Sequence, residues 1–478
     1  MSRAAALSAA LLLPLLLFGR SSATPALLPD RCAAMAGLRL DRTSIISAGL
    51  AAVAKASPPA CRIVAEAHPV PGSRVGFELW LPMADWNGRY YQIGTGGFGG
   101  MIFPDALAAE AARGNAAAMT DSGHRDDRMS AAWALDNSIA VADYGYRSIK
   151  VTSDAARALI RAFYGRPAAH RYFAGCSNGG RQALMAAARY PSDWSGIIAG
   201  SAANPWTEQF YRLATLQHHL RTVPGAWIPA DKLPAVERAA LATCPARAVQ
   251  HGIAADPRLC HFDPERLLCR DGDGPNCLTG PQVASVRLIQ RLGYDATAAA
   301  GPDSWSSWIV PTQTGASQLE FAEQAFRYLL RNDPAWRIAA FDPRRDKAAA
   351  VRAAAILDAP ADLRHFHARG GKIIAYFGWA DSLIAPGLAL DSYRASARAN
   401  GGRKATTAFY RLFMVPGMGH CQGGTSAYAF GQSADAPASR ADRTHDIRGA
   451  IEAWVERGQA PDTLVVTNGK SSRVLRPL

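Results

Sequence analysis

Beyond residue 18 the chain has no apolar run of the roughly 18 residues that a membrane-spanning helix needs. It has no CxxC and no paired Cys/His spacing, so its cysteines offer no zinc-type ligand set. No internal repeat and no long low-complexity tract interrupts it. Acidic residues are in deficit, 39 against 52 Lys and Arg, for a net charge of +13. The basic residues are scattered rather than gathered in a stripe, which argues against nucleic acid and for a solvated basic surface, with a general attraction for anionic substrates or surfaces left open. Hydrophobic residues make up 49% and charged residues 19%, a balance that excludes wholesale disorder.

What is present begins with a leader. Arg3 is followed by the apolar stretch Ala4 to Phe18 and then by the small residues Ser21-Ser22-Ala23, the order of a signal peptide over residues 1–23. A retained N-terminal anchor is the alternative. Export to the periplasm or the medium agrees with eight cysteines, an even number that points to four disulfides. Six fall into near pairs: Cys32 with Cys61, Cys244 with Cys260, and Cys269 with Cys277.

At 478 residues the chain holds two to three domains, or one domain with a large insertion. Residues 76–93 read as two strands joined by the turn Asp85-Trp86-Asn87-Gly88, and 138–143 is a short apolar run. Residues 154–164 and 179–190 have helical character, whereas 171–174 and 195–200 are strand-like. The Ala-rich stretches near 105–118 and 348–355 read as helices. Between about 204 and 350 the chain turns richer in Trp, Pro and Cys and loses strand signals. They return at 372–377 and 408–415, before a final amphipathic helix over 446–457. Strands alternating with helices point to a parallel, helix-covered sheet. The expected organisation is an α/β domain over 24–203 and 351–478, interrupted by an inserted lid over 204–350.

The strongest chemical signal is Gly175-Cys176-Ser177-Asn178-Gly179, a GxSxG with a strand before it and a helix after it. Its glycines permit the sharp turn that lifts a serine hydroxyl above a sheet. Ser177 is the candidate nucleophile; a plain Gly/Ser connection is the alternative. A serine needs a base from later in the chain. His420 qualifies among the eleven histidines, because it sits in the glycine-rich loop Pro416–Cys421 directly after a strong strand. Asp381, in the loop after strand 372–377, is the candidate to orient it, with Asp391 and Asp362 as runners-up on expected helices. If Ser177 and His420 meet, their neighbours Cys176 and Cys421 come within disulfide range and form a staple between two active-site loops. A free Cys176 thiol, even as nucleophile, is the alternative. Two N–H groups are expected to hold an oxyanion: that of Asn178, and one from Gly94–Gly100, for which Gly97 is chosen. That glycine run lacks GK[ST] and a full GxGxxG, so it does not read as a phosphate loop.

The segments GCSNGGRQALMAAARYPSDWSGIIAG, GGKIIAYFGWADSLIAPG and RLFMVPGMGHCQGG resemble the tannase and feruloyl esterase family, as do WNGRYYQIGTGGFGG and TDSGH at 120–124. The likeness runs through nearly the whole mature chain. It implies an α/β-hydrolase fold with a lid, Ser177, Asp381 and His420 on the family's triad positions, and Cys176 and Cys421 on its disulfide. It also implies hydrolysis of small esters of aromatic or phenolic acids through an acyl-enzyme. One departure stands out. Where the family commonly carries an Asp-rich calcium loop, this chain has Pro245, Ala248 and His251, in a loop one residue shorter, so no calcium is expected there and no cofactor is needed. Asp271 and Asp273 read as turn residues inside the Cys269–Cys277 loop. A serine peptidase or amidase on the same triad, and a non-catalytic binding protein on a hydrolase scaffold, remain the rival readings.

Overall fold

Nine strands join into one sheet in the computed structural model, which describes residues 1, 28–53, 58–311 and 317–478. The leader expected over 1–23 lies, Met1 apart, outside the described residues. In chain order the strands are β1 (Thr43–Ala51), β2 (Ala60–Ala67), β3 (Val75–Pro82), β4 (Arg89–Ile93), β5 (Ala116–Thr120), β6 (His170–Cys176), β7 (Gly196–Gly200), β8 (Lys372–Gly378) and β9 (Tyr410–Val415). Their spatial order is β1-β2-β3-β5-β4-β6-β7-β8-β9. The first three run antiparallel to their neighbours, and β3 also pairs antiparallel with β5. From β5 onward every pairing is parallel.

The parallel half is buried on both faces, which explains its unbroken apolar runs: Gly-Ile-Ile-Ala-Gly in β7 and Ile-Ile-Ala-Tyr-Phe in β8. Helices α1 (Pro104–Ala112), α2 (Ser148–Tyr164), α3 (Asn178–Arg189), α4 (Trp206–Thr222), α5 (Pro343–Leu357) and α6 (Ile447–Arg457) supply the covering layers. Two buried clusters result, one on each side of the sheet, with α2, α3 and α4 contributing to one and α1 and α6 to the other. This is the α/β-hydrolase arrangement.

Several local expectations are revised. The Ala-rich stretch at 105–118 does not stay helical. Gly114, at φ +78°, ends α1's turn, and Ala116-Ala117-Ala118 then enters the centre of the sheet as β5. Alanine is a weak strand former, but a strand buried on both faces is decided by fit rather than by propensity. The strands at 76–93 exist but do not pair with each other, because β5 inserts between them. The apolar run at 138–143 opens a helix (Ser138–Ala142) under the Asn137 cap, whose side chain accepts the Ala140 N–H at 3.0 Å. β1 and β2 have no counterpart in the sequence reading. The chain between β7 and β8 adds no strand to the main sheet among the described residues. Its one ladder is the short hairpin Val249-Gln250 with Ile253-Ala254.

The close approach of Gly94, Gly175 and Gly179 sets where α3 begins against the sheet. A Cβ on Gly94 would stand 2.6 Å from the Gly179 Cα, and one on Gly175 2.6 Å from the Gly179 carbonyl carbon. Backbone cannot yield as a side-chain tip can. Gly94→Ala is therefore expected to destabilise the protein by about 1–3 kcal/mol, read as a lower urea midpoint at unchanged m; an unmoved midpoint contradicts the close approach.

Candidate active site

Ser177 occupies the turn between β6 and α3 in a conformation rare for anything but glycine, φ +61° and ψ −126°. Its environment fixes that conformation. The Ser177 N–H donates to the Gly200 carbonyl at 3.0 Å, and its own carbonyl accepts from Arg181 and Ala203, each at 3.1 Å. Only 9% of the residue is exposed.

Arg181 anchors the start of α3 from within. It is fully buried and donates to the Asn178 Oδ1 at 2.8 Å, to the Gly145 and Leu357 carbonyls at 2.9 Å each, and to the Tyr144 carbonyl at 3.1 Å. No carboxylate pairs with it among the described residues; burial lowers its pKa, and the array of carbonyl dipoles offsets the charge.

The Gly94–Gly100 loop lies over the first turn of α3. Thr95 donates its N–H to the Gln182 Oε1 at 3.0 Å, and the Asn178 side-chain amide donates to the Thr95 carbonyl at 3.2 Å. Phe98 and Gly100 tie the loop to the following segment through Arg128 and Asp121 carbonyls, at 2.8 and 2.9 Å. The Tyr144 hydroxyl donates to the Gly97 carbonyl at 3.1 Å. Among the described residues, the N–H groups of Gly97 and Asn178 donate to no protein acceptor. His124, from the TDSGH segment, stacks on Trp133 at 3.8 Å beneath Gly99, and burial pushes its pKa down to about 4, so it stays neutral.

Asp381 and His420 come from the loops after the adjacent strands β8 and β9. Asp381 is 1% exposed, and its Oδ1 accepts the N–H groups of Leu383 (3.1 Å) and Ile384 (2.9 Å). Its Oδ2 receives the His420 Nδ1 at 2.8 Å. With Nδ1 engaged there, Nε2 is the ring nitrogen left to accept a proton. Trp308 presents an edge-on ring 6.1 Å from the imidazole, and its buried indole N–H donates to no group among the described residues.

A disulfide joins Cys176 to Cys421 across 245 residues, with a Cα–Cα distance of 5.9 Å. The residue before Ser177 and the residue after His420 are thus bonded to one another. The Cys421 N–H also reaches the Ser201 Oγ at 3.4 Å. The other six cysteines pair as 32–61, 244–260 and 269–277. The runners-up for the acid stand elsewhere. Asp391 lies on the helix Pro386–Ala399 and pairs with Arg212 at 3.3 Å. Asp362 is not helical but precedes the short helix Arg364–Ala368 and pairs with Arg364.

Candidate metal ligands are few. Cys269, Asp273 and Cys277 cluster among the described residues, but the sulfurs are bonded to each other and Asp273 pairs with Lys232. In the 244–252 loop, Pro245 and Ala248 bring no side-chain oxygen, and His251 occupies the hairpin turn at φ +54°. Glu237 and Asp295 line a 270 Å³ cavity beside His251. They are committed to the Ala300 N–H at 2.8 Å and to Thr297, and burial raises both, Asp295 to about 6. The donor set does not fit calcium.

Sequence reasoning does not single out Arg181, Gln182 or Ser201, and it reads Trp308 only as one of four tryptophans of the insert, with Trp206, Trp305 and Trp336. Arg181 and Gln182 are visible only as part of a helix, and nothing in the sequence says which of the four tryptophans stands beside His420.

Removing both cysteines (Cys176→Ala with Cys421→Ala) is expected to cost about 2–4 kcal/mol in denaturant unfolding and to lower turnover of a p-nitrophenyl ester by roughly 10- to 100-fold. Unchanged turnover in the folded double variant contradicts a positional role for the bond.

The profile of the tannase and feruloyl esterase family matches residues 61–337 and 336–476. The chain is 36% identical to an uncharacterized esterase of Xanthomonas campestris pv. campestris, over 86% of this chain and 78% of that protein. It is 30% identical to feruloyl esterase B of Aspergillus niger, over 88% and 82%. The crystal structure of feruloyl esterase B from Aspergillus oryzae superposes with a TM-score of 0.84 at 25% identity, covering 94% of this chain and 95% of that one. The tannin acyl hydrolase of Aspergillus niger shares the fold, with a TM-score of 0.72 at 18% identity and coverage of 94% and 92%. With a carboxylate–imidazole pair tied by sulfur to a strained serine turn, on this sheet and within these likenesses, the chain is a carboxylic ester hydrolase and belongs to the tannase and feruloyl esterase family.

Proposed function

We propose that the protein is an exported serine esterase that cleaves small esters of aromatic or phenolic acids through an acyl-enzyme, with Ser177 as nucleophile, His420 as general base and Asp381 as its orienting partner. The observation that carries this reading is the 2.8 Å contact of Asp381 with His420 Nδ1, on a loop bonded through Cys421 to the residue before Ser177. His420 Nε2 takes the Ser177 proton as the hydroxyl attacks the ester carbonyl. The N–H groups of Asn178 and Gly97 receive the developing oxyanion. The alcohol leaves with the proton held by His420, and water activated by the same imidazole then releases the acid. No cofactor enters this scheme, and the 244–252 loop is read as having lost its calcium.

The aromatic preference draws on Trp308, whose ring stands edge-on 6.1 Å from His420 and places an aromatic surface beside the proposed base. Feruloyl esterase B, the name of relatives in sequence and structure, agrees with it. Export rests on the leader-like residues 1–23 and on four disulfides; among the described residues, no helix is long and apolar enough to cross a membrane.

Ser177→Ala is expected to abolish labelling by a fluorophosphonate probe, and Asp381→Asn to lower kcat by about 10⁴-fold. Across methyl gallate, methyl ferulate, chlorogenate and mono(2-hydroxyethyl) terephthalate, at least one substrate is expected to exceed p-nitrophenyl acetate in kcat/KM. Retained labelling of Ser177→Ala rejects the nucleophile, and a preference for the acetate over the whole panel rejects the aromatic acyl group.

A further inference from the structure

We propose that Asp303, carried by the helical insert between β7 and β8, is a positioning residue for the catalytic base: its carboxylate stabilises the imidazolium that His420 forms, and its backbone pins the loop that carries Asp381. The inference rests on the serine-esterase reading above and adds to it a second carboxylate, contributed from outside the sheet.

Three contacts place Asp303 between the two loops. Its carbonyl accepts the Ser382 hydroxyl at 2.6 Å, one residue beyond Asp381. Its side chain fills the space that the histidine loop leaves open by being glycine. A Cβ on Gly419 would stand 2.8 Å from the Asp303 Cβ and 3.2 Å from Oδ2, and one on Gly423 2.8 Å from Oδ2. The segment continues through Ser304 into the short helix Trp305–Trp308, whose last residue sets its ring edge-on to His420.

No structural partner among the described residues explains the Asp303 carboxylate. Among the described residues it accepts no hydrogen bond, caps no helix and pairs with no Lys or Arg. Burial raises its pKa, the charge of His420 lowers it, and the Asp381 carboxylate raises it again. Among the described residues, the titratable groups facing the imidazole are Asp381, Asp303 and, behind Asp381, the neutral hydroxyl of Tyr294, which donates to the Leu383 carbonyl at 3.3 Å. Asp303 holds φ +55°, a region open to Asp and Asn but costly for most residues. The backbone geometry that delivers the carbonyl to Ser382 thus admits the side chain that brings the charge.

A negative charge beside the imidazolium favours the protonated ring. Activity in the free enzyme needs the neutral ring, so removing that charge lets activity persist to lower pH. It also withdraws stabilisation from the imidazolium formed during attack, so the plateau falls. Asp303→Asn keeps the shape and tolerates positive φ, and Asp303→Gly removes the side chain without backbone strain and serves as the second variant if the first does not fold.

The experiment is the pH profile of kcat/KM and kcat for ester hydrolysis, with a denaturant midpoint and fluorophosphonate labelling of Ser177 on the same samples. The acid limb of kcat/KM is expected to move about 0.5–1 pH unit lower, and the plateau kcat to fall roughly three- to tenfold, with Ser177 still labelled at high pH. An unmoved limb in both variants, whether or not kcat falls, overturns the proposal, because lost packing alone lowers rate without moving a titration. Absence of labelling in the unaltered protein overturns it through the reading on which it rests, and is distinguishable on that ground.

Discussion

The bond between Cys176 and Cys421 is the constraint on which the site depends, because it makes two distant loops one body. Ser177 carries a backbone conformation that costs on the order of 1–3 kcal/mol, and such strain persists only where neighbours over-determine it. Here the neighbours are the Gly200 carbonyl, the Ala203 N–H and, one residue back, a covalent bond to the histidine loop. Closing 245 residues removes roughly 5 kcal/mol of chain entropy from the unfolded state. That effect acts on the whole unfolded chain, and the about 2–4 kcal/mol expected to appear as measured stability is comparable with the strain at Ser177.

The rest of the site is held by groups that do no chemistry. Arg181 buries a cation against four carbonyl or amide oxygens and so fixes Asn178 and the approach of α3 to the Tyr144 segment. Gln182, the next residue, holds Thr95 in the glycine loop. One turn of one helix therefore carries Asn178 and holds the glycine loop against the turn at Ser177. Glycine at 94, 175 and 179 is what lets the loop, the strand and the helix come that close.

Much of this was legible in the sequence where a residue type had a local reason to be there. Ser177 announced itself through a strand, two glycines and a helix, and His420 and Asp381 through their positions after apolar strands. The cysteines beside Ser177 and His420 were legible as a pair only because each sat next to a candidate catalytic residue. What stayed hidden had no local period. Ala116–Ala118 reads as helix because alanine favours helices, and only its burial between β3 and β4 makes it a strand. β1 and β2 lie at the sheet edge, and β1's mixed burial gives a weak alternation. Arg181 looks like any helix cation until the fold surrounds it.

The insert between β7 and β8 then takes on a double character. Its Trp308 stands edge-on to His420, while Asp303, five residues earlier, lies against the loops that carry Asp381 and His420. A segment that met only substrate could vary freely to change what is bound. One that also holds a charge next to the His420 loop cannot, since each shift of its backbone moves that charge along with the ring of Trp308. On the proposed reading, selection of the ester and tuning of the base are coupled through the few residues from Gly301 to Trp308, which lie outside the sheet that carries Asp381 and His420.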